Sequence, residues 1–181
     1  MKAELESVLP DTHLVTAARP LGNASQFVDR IFTMIDRIPL FESFDRDEVR
    51  QLTGFMSAFR CPAGSVLLRE GEAGDHMCLL IEGSVEILKN DRFGGRKRLS
   101  IVGPGKTLGE MSMIDGEPRF ASCVATMEVV YAVLTRDQLS RIIVDSPRLG
   151  TKILMELVVL LSQRLRETSR SLVSYMESLE R

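Results

Sequence analysis

Gly105-Lys106-Thr107-Leu108-Gly109-Glu110-Met111-Ser112-Met113-Ile114-Asp115-Gly116-Glu117-Pro118-Arg119-Phe120-Ala121 breaks into a strand-rich region with a glycine turn, one short helical turn and a return loop. A glycine at the start of a helical turn lets backbone N–H groups approach an anion closely. The unpaired amides and the helix dipole favour negative charge there. Pro118 stiffens the return, so Arg119, about nine residues after Glu110, can come back to the same spot. Its planar fork can donate two hydrogen bonds to a phosphodiester. A carboxylate makes no sense as a phosphate ligand, but Glu110 can accept a hydrogen bond from a ribose hydroxyl. The same two residues can also be read as an ion pair that closes a loop, and spacing alone does not choose between the readings.

On both sides of this segment, from about Phe59 to Leu134, short β-favouring runs alternate with glycine turns: Ser65 to Leu68, Met77 to Ile81, Ser84 to Leu88, Leu99 to Val102 and Cys123 to Leu134. This pattern predicts an α+β fold, mainly β, in which an antiparallel β jelly-roll barrel is flanked by N-terminal helices and a long C-terminal helix. Phe27, Ile31, Met34 and Ile35 recur at helical spacing, and Asp45 with Glu48 forms a capping box that opens a second helix. Thr135 with Gln138 makes another, and Ser146-Pro147 reads as a cap followed by proline at the first helical position. The expected organisation is a partly ordered arm over 1–24, a β-barrel with its helices over 25–145, and a C-terminal dimerisation helix over 146–181.

In that last helix Leu154, Val158, Leu161, Leu165, Thr168, Leu172, Tyr175 and Leu179 alternate by four and three, the seam of a left-handed coiled coil. A partner helix, in a homodimer, is one reading. A single amphipathic helix folded back on its own barrel is the other.

Charge and composition narrow the function classes. Lys and Arg number 23 against 25 Asp and Glu, a formal charge of −2, so no global basic field draws the chain to nucleic acid or to an anionic membrane. Arg92, Arg96, Lys97 and Arg98 around Phe93-Gly94-Gly95 read as a solvated hairpin tip. Cys61, Cys78 and Cys123, without a CxxC pair, read as reduced thiols that fill the core. Met111, Met113 and Met127 read as core packing too. No signal-peptide pattern opens the chain and no run approaches the roughly 20 apolar residues of a membrane span, so the expectation is a cytoplasmic protein. His13 in the arm and His76 at an expected exposed turn are too few for a metal centre. No GxSxG segment is present, and no Ser or Cys has an evident His partner. The expectation is a non-enzyme without metal or cofactor.

Three motifs together carry a resemblance. Arg69-Glu70-Gly71-Glu72-Ala73-Gly74-Asp75-His76-Met77, then Ile81-Glu82-Gly83-Ser84-Val85, then the Gly109 to Ala121 cassette, are similar to the cyclic-nucleotide-binding domain family of catabolite activator protein and the protein kinase A regulatory subunits. The resemblance covers roughly 38–170. It implies that Gly109, Glu110, Met111 and Ser112 line the ribose and phosphate, that Arg119 pairs with the equatorial oxygens, and that Gly71, Gly74 and Gly83 are turn positions. The helix after Ser146 would be the family's dimer helix, signalling to a partner or effector protein. Phe120, followed by Ala121, departs from the family, which usually has a small or hydroxylated residue facing the purine. Its ring can stack on the base or fill the pocket. With no hydroxyl for a guanine contact, cyclic AMP is favoured over cyclic GMP. Many family members continue into a helix-turn-helix domain, and the roughly eleven residues after Arg170 are too few to hold one. The alternative function is a ligand-free scaffold or dimerisation protein with a pocket occluded by Phe120.

Overall fold

The computed structural model describes residues 18–179. Strand β1 (Arg19–Asn23) leads through a 3₁₀ turn into the short helix α1 (Val28–Thr33) and two further 3₁₀ turns. The Asp45 carboxylate then accepts hydrogen bonds from the Asp47 and Glu48 amides, and the Asp45 amide donates to Glu48, which fixes the start of α2 (Arg46–Phe55). The strands β2 (Ser57–Cys61), β3 (Val66–Leu68), β4 (His76–Glu82), β5 (Val85–Asn90), β6 (Arg96–Val102) and β7 (Thr107–Leu108) follow. Helix α3 (Glu110–Asp115) interrupts them before β8 (Ser122–Ala125) and β9 (Val129–Thr135). Helix α4 (Arg136–Asp145), with the Thr135/Gln138 capping box, and the long α5 (Pro147–Leu179) close the chain.

The strands form two antiparallel sheets, β1-β2-β9-β4-β7 and β3-β8-β5-β6. The barrel expected from sequence is therefore an open double-sheet roll: no ladder among the described residues joins the two sheets, and β1 and β7 of one sheet and β3 and β6 of the other are the edges. Central strand β4 explains why one core becomes two. Met77, Leu79 and Ile81 point to one face and pack with residues of α2, α4 and α5. Cys78 and Leu80 point to the other and pack with Leu67, Leu68, Val85 and Cys123 of the opposing sheet. All three cysteines are buried and free.

Three local expectations change. The Cys123 to Leu134 run is two strands in different sheets, broken at Thr126–Glu128. Residues 19–23 of the expected arm form β1, paired with β2 through the backbone, and because only Leu21 among their side chains is partly buried against the core the sequence shows no period there. Residues 1–17, with His13, lie outside the described residues. Met113 is core, but Met111 and Met127 are about half exposed, not packed inside.

Helix α5 uses two faces. Leu149, Ile153, Leu157 and Leu160 are buried against α4 and the first sheet. The heptad residues Leu154, Val158, Leu165, Leu172, Tyr175 and Leu179 are exposed, so the seam is not the face that folds back on this chain.

Candidate functional site

Gly109 takes a left-handed conformation, φ 80°, which lets the chain turn from β7 into α3. The far end of α3 is clasped by Arg136 at the start of α4, whose Nε and Nη2 donate to the Met113 and Ser112 carbonyls at 2.7 and 2.8 Å. The Met113 carbonyl is one that the helix end leaves free, whereas the Ser112 carbonyl also accepts from the Gly116 amide. Arg136 was not anticipated from sequence.

Arg119 reaches back from the return loop, held by backbone bonds in which its amide donates to Glu72 and its carbonyl accepts from Gly71. Its side chain is buried, with Nη1 donating to the Gly109 carbonyl at 2.7 Å and Nη2 standing 3.2 Å from His76 Nδ1. The guanidinium lies against two glycines. A Cβ on Gly74 would overlap Arg119 Nε and Cζ, and one on Gly109 would stand 2.5 Å from Nη1. Burial lowers the Arg119 pKa, but a guanidinium stays charged. A cavity of about 440 Å³ is lined by Arg119 together with Leu67, Leu68, Gly74, His76 and Arg136.

Glu110 does not pair with Arg119. It is fully buried and forms an ion pair with Arg164 of α5, although neither carboxylate oxygen has a partner with hydrogen-bonding geometry. Arg164 Nη2 also donates to the Thr107 carbonyl at 2.7 Å. The Glu110–Arg119 ion pair that the spacing allows does not form; the cation beside Glu110 is Arg164. Arg164 has a sequence signal of a sort: it falls four residues after Leu160 on the buried stripe of α5, where a polar residue calls for a partner.

The remaining expected residues scatter. Ser112 is buried beneath the cassette, Met111 faces outward and Ala121 is half-buried. Phe120 is 58% exposed, and its ring lies 4.3 Å below Lys89 Nζ, which also donates to the Phe120 carbonyl. His76, expected at an exposed turn, is instead the first residue of β4, opposite Thr135 of β9, and is buried. Burial, and after it the Arg119 charge, holds its pKa below the ordinary 6.5, against the opposing pull of Asp75. Burial likewise pushes the neighbouring Cys78 and Cys123 thiols up to about 12, so they are inert.

The cyclic nucleotide-binding domain model matches residues 58–146. A crystal structure of such a domain from Methylobacillus flagellatus superposes with TM-score 0.78 at 38% identity, covering 87% of this chain and 88% of that one. The chain belongs to the cyclic nucleotide-binding domain family. Within that family it is 30% identical over 139 residues to the CRP-like cAMP-activated global transcriptional regulator of Mycobacterium tuberculosis, covering 77% of this chain and 60% of the regulator. It is 34% identical over 144 residues to the cAMP-dependent protein kinase regulatory subunit of Aspergillus fumigatus, covering 79% of this chain and 34% of the subunit. The domain thus spans less than two thirds of the length of these curated relatives. Both relatives are regulators, and no helix among the described residues is long and apolar enough to cross a membrane.

Proposed function

We propose that this cyclic nucleotide-binding domain is a cytoplasmic, non-catalytic sensor of cyclic AMP that signals through α5 to a second copy of itself or to an effector protein. The observation that carries the reading is the buried Arg119 guanidinium, fixed by Gly109, Gly74 and His76, with N–H groups left to donate to a phosphodiester. In this reading Gly109, Met111 and Ser112 frame the phosphate and ribose and Glu110 accepts from the 2′-hydroxyl. Phe120 and Ala121 border the base. Cyclic AMP is preferred because no hydroxyl stands beside Arg119 for a guanine, and because both relatives are named for cAMP.

Coupling runs through Glu110. A ribose hydroxyl that donates to its carboxylate competes with Arg164, and so changes how α5 is held. The exposed heptad face of α5 fits a homodimer seam. The scaffold alternative requires the Phe120 ring to close over Arg119. The outward ring under Lys89 speaks against it.

Calorimetric titration with cyclic AMP, then cyclic GMP, tests the proposal. The expected result is binding at about micromolar concentrations that Arg119→Ala abolishes. No heat from either nucleotide at about one millimolar refutes it.

A further inference from the structure

His76 Nδ1 has two neighbours with incompatible demands. Asp75 Oδ1, at 3.0 Å, is an acceptor and asks for a proton on Nδ1. Arg119 Nη2, at 3.2 Å, is a donor and asks for a lone pair there. One nitrogen cannot satisfy both at once. Nε2 has no hydrogen-bond partner among the described residues, and the side chain is only 8% exposed. An imidazole in this position has three arrangements: neutral with its proton on Nε2 and bonded to the arginine, neutral with its proton on Nδ1 and bonded to the aspartate, or protonated and bonded to the aspartate. Of the two aspartate-bonded forms the charged one makes the stronger contact.

We propose that His76 is a positioning residue for the anion-binding arginine: while neutral its Nδ1 holds Arg119 Nη2, and when protonated it turns that contact to Asp75 and releases the N–H to a bound phosphodiester. The inference rests on the ligand reading above and adds a proton to it. Two effects act in the same direction. An anion against Arg119 cancels the positive charge that disfavours a second one on His76. The released Nη2 hydrogen then completes a two-point contact with the phosphate. Binding therefore takes up a proton, and affinity rises as pH falls. A phosphodiester does not itself titrate in this range, so the dependence belongs to the protein. The other charged or titratable groups around His76 are Asp75 and Glu72 on the loop before β4, Arg69 after β3, Arg119, Arg136 on α4, Cys78 beside it on β4 and Cys123 on β8. Of these types only imidazole ordinarily changes charge between about pH 5 and about pH 8.

The sequence has only two histidines, so ring C–H resonances can be followed residue by residue by NMR in the full chain. The His76 titration is recorded with and without cyclic AMP, and in ligand-free Arg119→Gln, while calorimetry follows affinity from about pH 8 to about pH 5.5. The expected results are three. The His76 midpoint rises on adding cyclic AMP, and it rises in ligand-free Arg119→Gln. Affinity increases about three- to tenfold toward acid pH in the wild type but stays flat in His76→Asn. Binding of cyclic AMP with an unmoved His76 midpoint overturns the positioning role and leaves the ligand reading standing. An unmoved midpoint in Arg119→Gln overturns the contact whatever the ligand. If neither cyclic nucleotide binds at any pH, the ligand reading fails and the proton coupling falls with it.

Discussion

Arg164→Met removes a charge from the site while keeping most of the side-chain volume. In the wild type the Glu110 carboxylate is fully buried, Arg164 is the cation against it, and neither carboxylate oxygen has a hydrogen-bond partner among the described residues. Removing one member of a fully buried ion pair costs about 3–5 kcal/mol, because the charge left behind is uncompensated. The Arg164 side chain is 38% exposed, so water screens the pair and the expected loss falls to about 1–3 kcal/mol, including the Arg164 bond to the Thr107 carbonyl. In a chain of this size a loss of about 2 kcal/mol lowers Tm by about 4–8 °C. Thermal unfolding of Arg164→Met, Glu110→Gln and the double variant gives the coupling directly. The double variant should recover most of the loss, because it leaves no buried charge, with an interaction energy of at least about 1 kcal/mol. A Tm for Arg164→Met within about 1 °C of wild type, or a cycle without coupling, would refute the pairing.

Gly74→Ala pushes the Arg119 guanidinium off its seat on Gly109, and should cost about 1–3 kcal/mol of stability and at least about tenfold in cyclic AMP affinity. Unfolding and titration that both match wild type would show that the guanidinium does not pack there. Leu165→Glu with Leu172→Glu places charge on the exposed heptad face and should convert a dimer to a monomer in light scattering with no loss of monomer fold. A variant that stays dimeric removes α5 as the seam. The buried His76 also sets a pH dependence of stability. Its folded pKa lies below the unfolded value of 6.5, so the unfolded chain takes up the proton first. The stability is fully present above the unfolded pKa and is lost as pH falls through it toward the folded one. Wild-type Tm should decline over that window more than Tm of His76→Asn, and parallel declines would exclude His76 as the cause.

What was legible in the sequence follows from where the information sits. The capping boxes at Asp45 and Thr135 are local, with donor and acceptor about three residues apart, and both form. Gly109 and Arg119 were legible because a turn that needs φ > 0 and a charged group of fixed reach are both chain-local constraints. His76 was not. Its alternation with Cys78 and Leu80 places it on the inner face of β4, but the preceding glycines and Asp75 gave a turn the stronger signal. The Arg164 contact with Glu110 joins residues far apart in sequence, and nothing local announces it, although the stripe Leu149, Ile153, Leu157, Leu160 points straight to position 164. The heptad face was read correctly as a face, yet only the structure separates it from the stripe that packs inside. Strand β1, joined by backbone pairing with only Leu21 partly buried, leaves no pattern to read.

The size of any signal passed to α5 is bounded by the contacts that hold the helix near the cassette. Beyond Leu160 no residue of α5 is buried, and Arg164 bonds Thr107 and pairs with Glu110. Residues 165–179 then extend about 22 Å with both faces exposed. A ligand shifts a conformational equilibrium only by the difference in its interaction with the two states. A ribose hydroxyl at Glu110 can therefore redirect α5 by no more than the Arg164 contacts contribute, about 1–3 kcal/mol, which corresponds to roughly 5- to 150-fold coupling between nucleotide binding and helix association. Arg164→Met sets that ceiling by experiment. In the variant, cyclic AMP should still bind through Arg119, while its effect on dimer affinity should fall to nearly nothing. If the ligand shifts dimerisation equally in wild type and variant, the signal travels by α4 and its Arg136 clasp on α3, and Glu110 is a ligand contact alone.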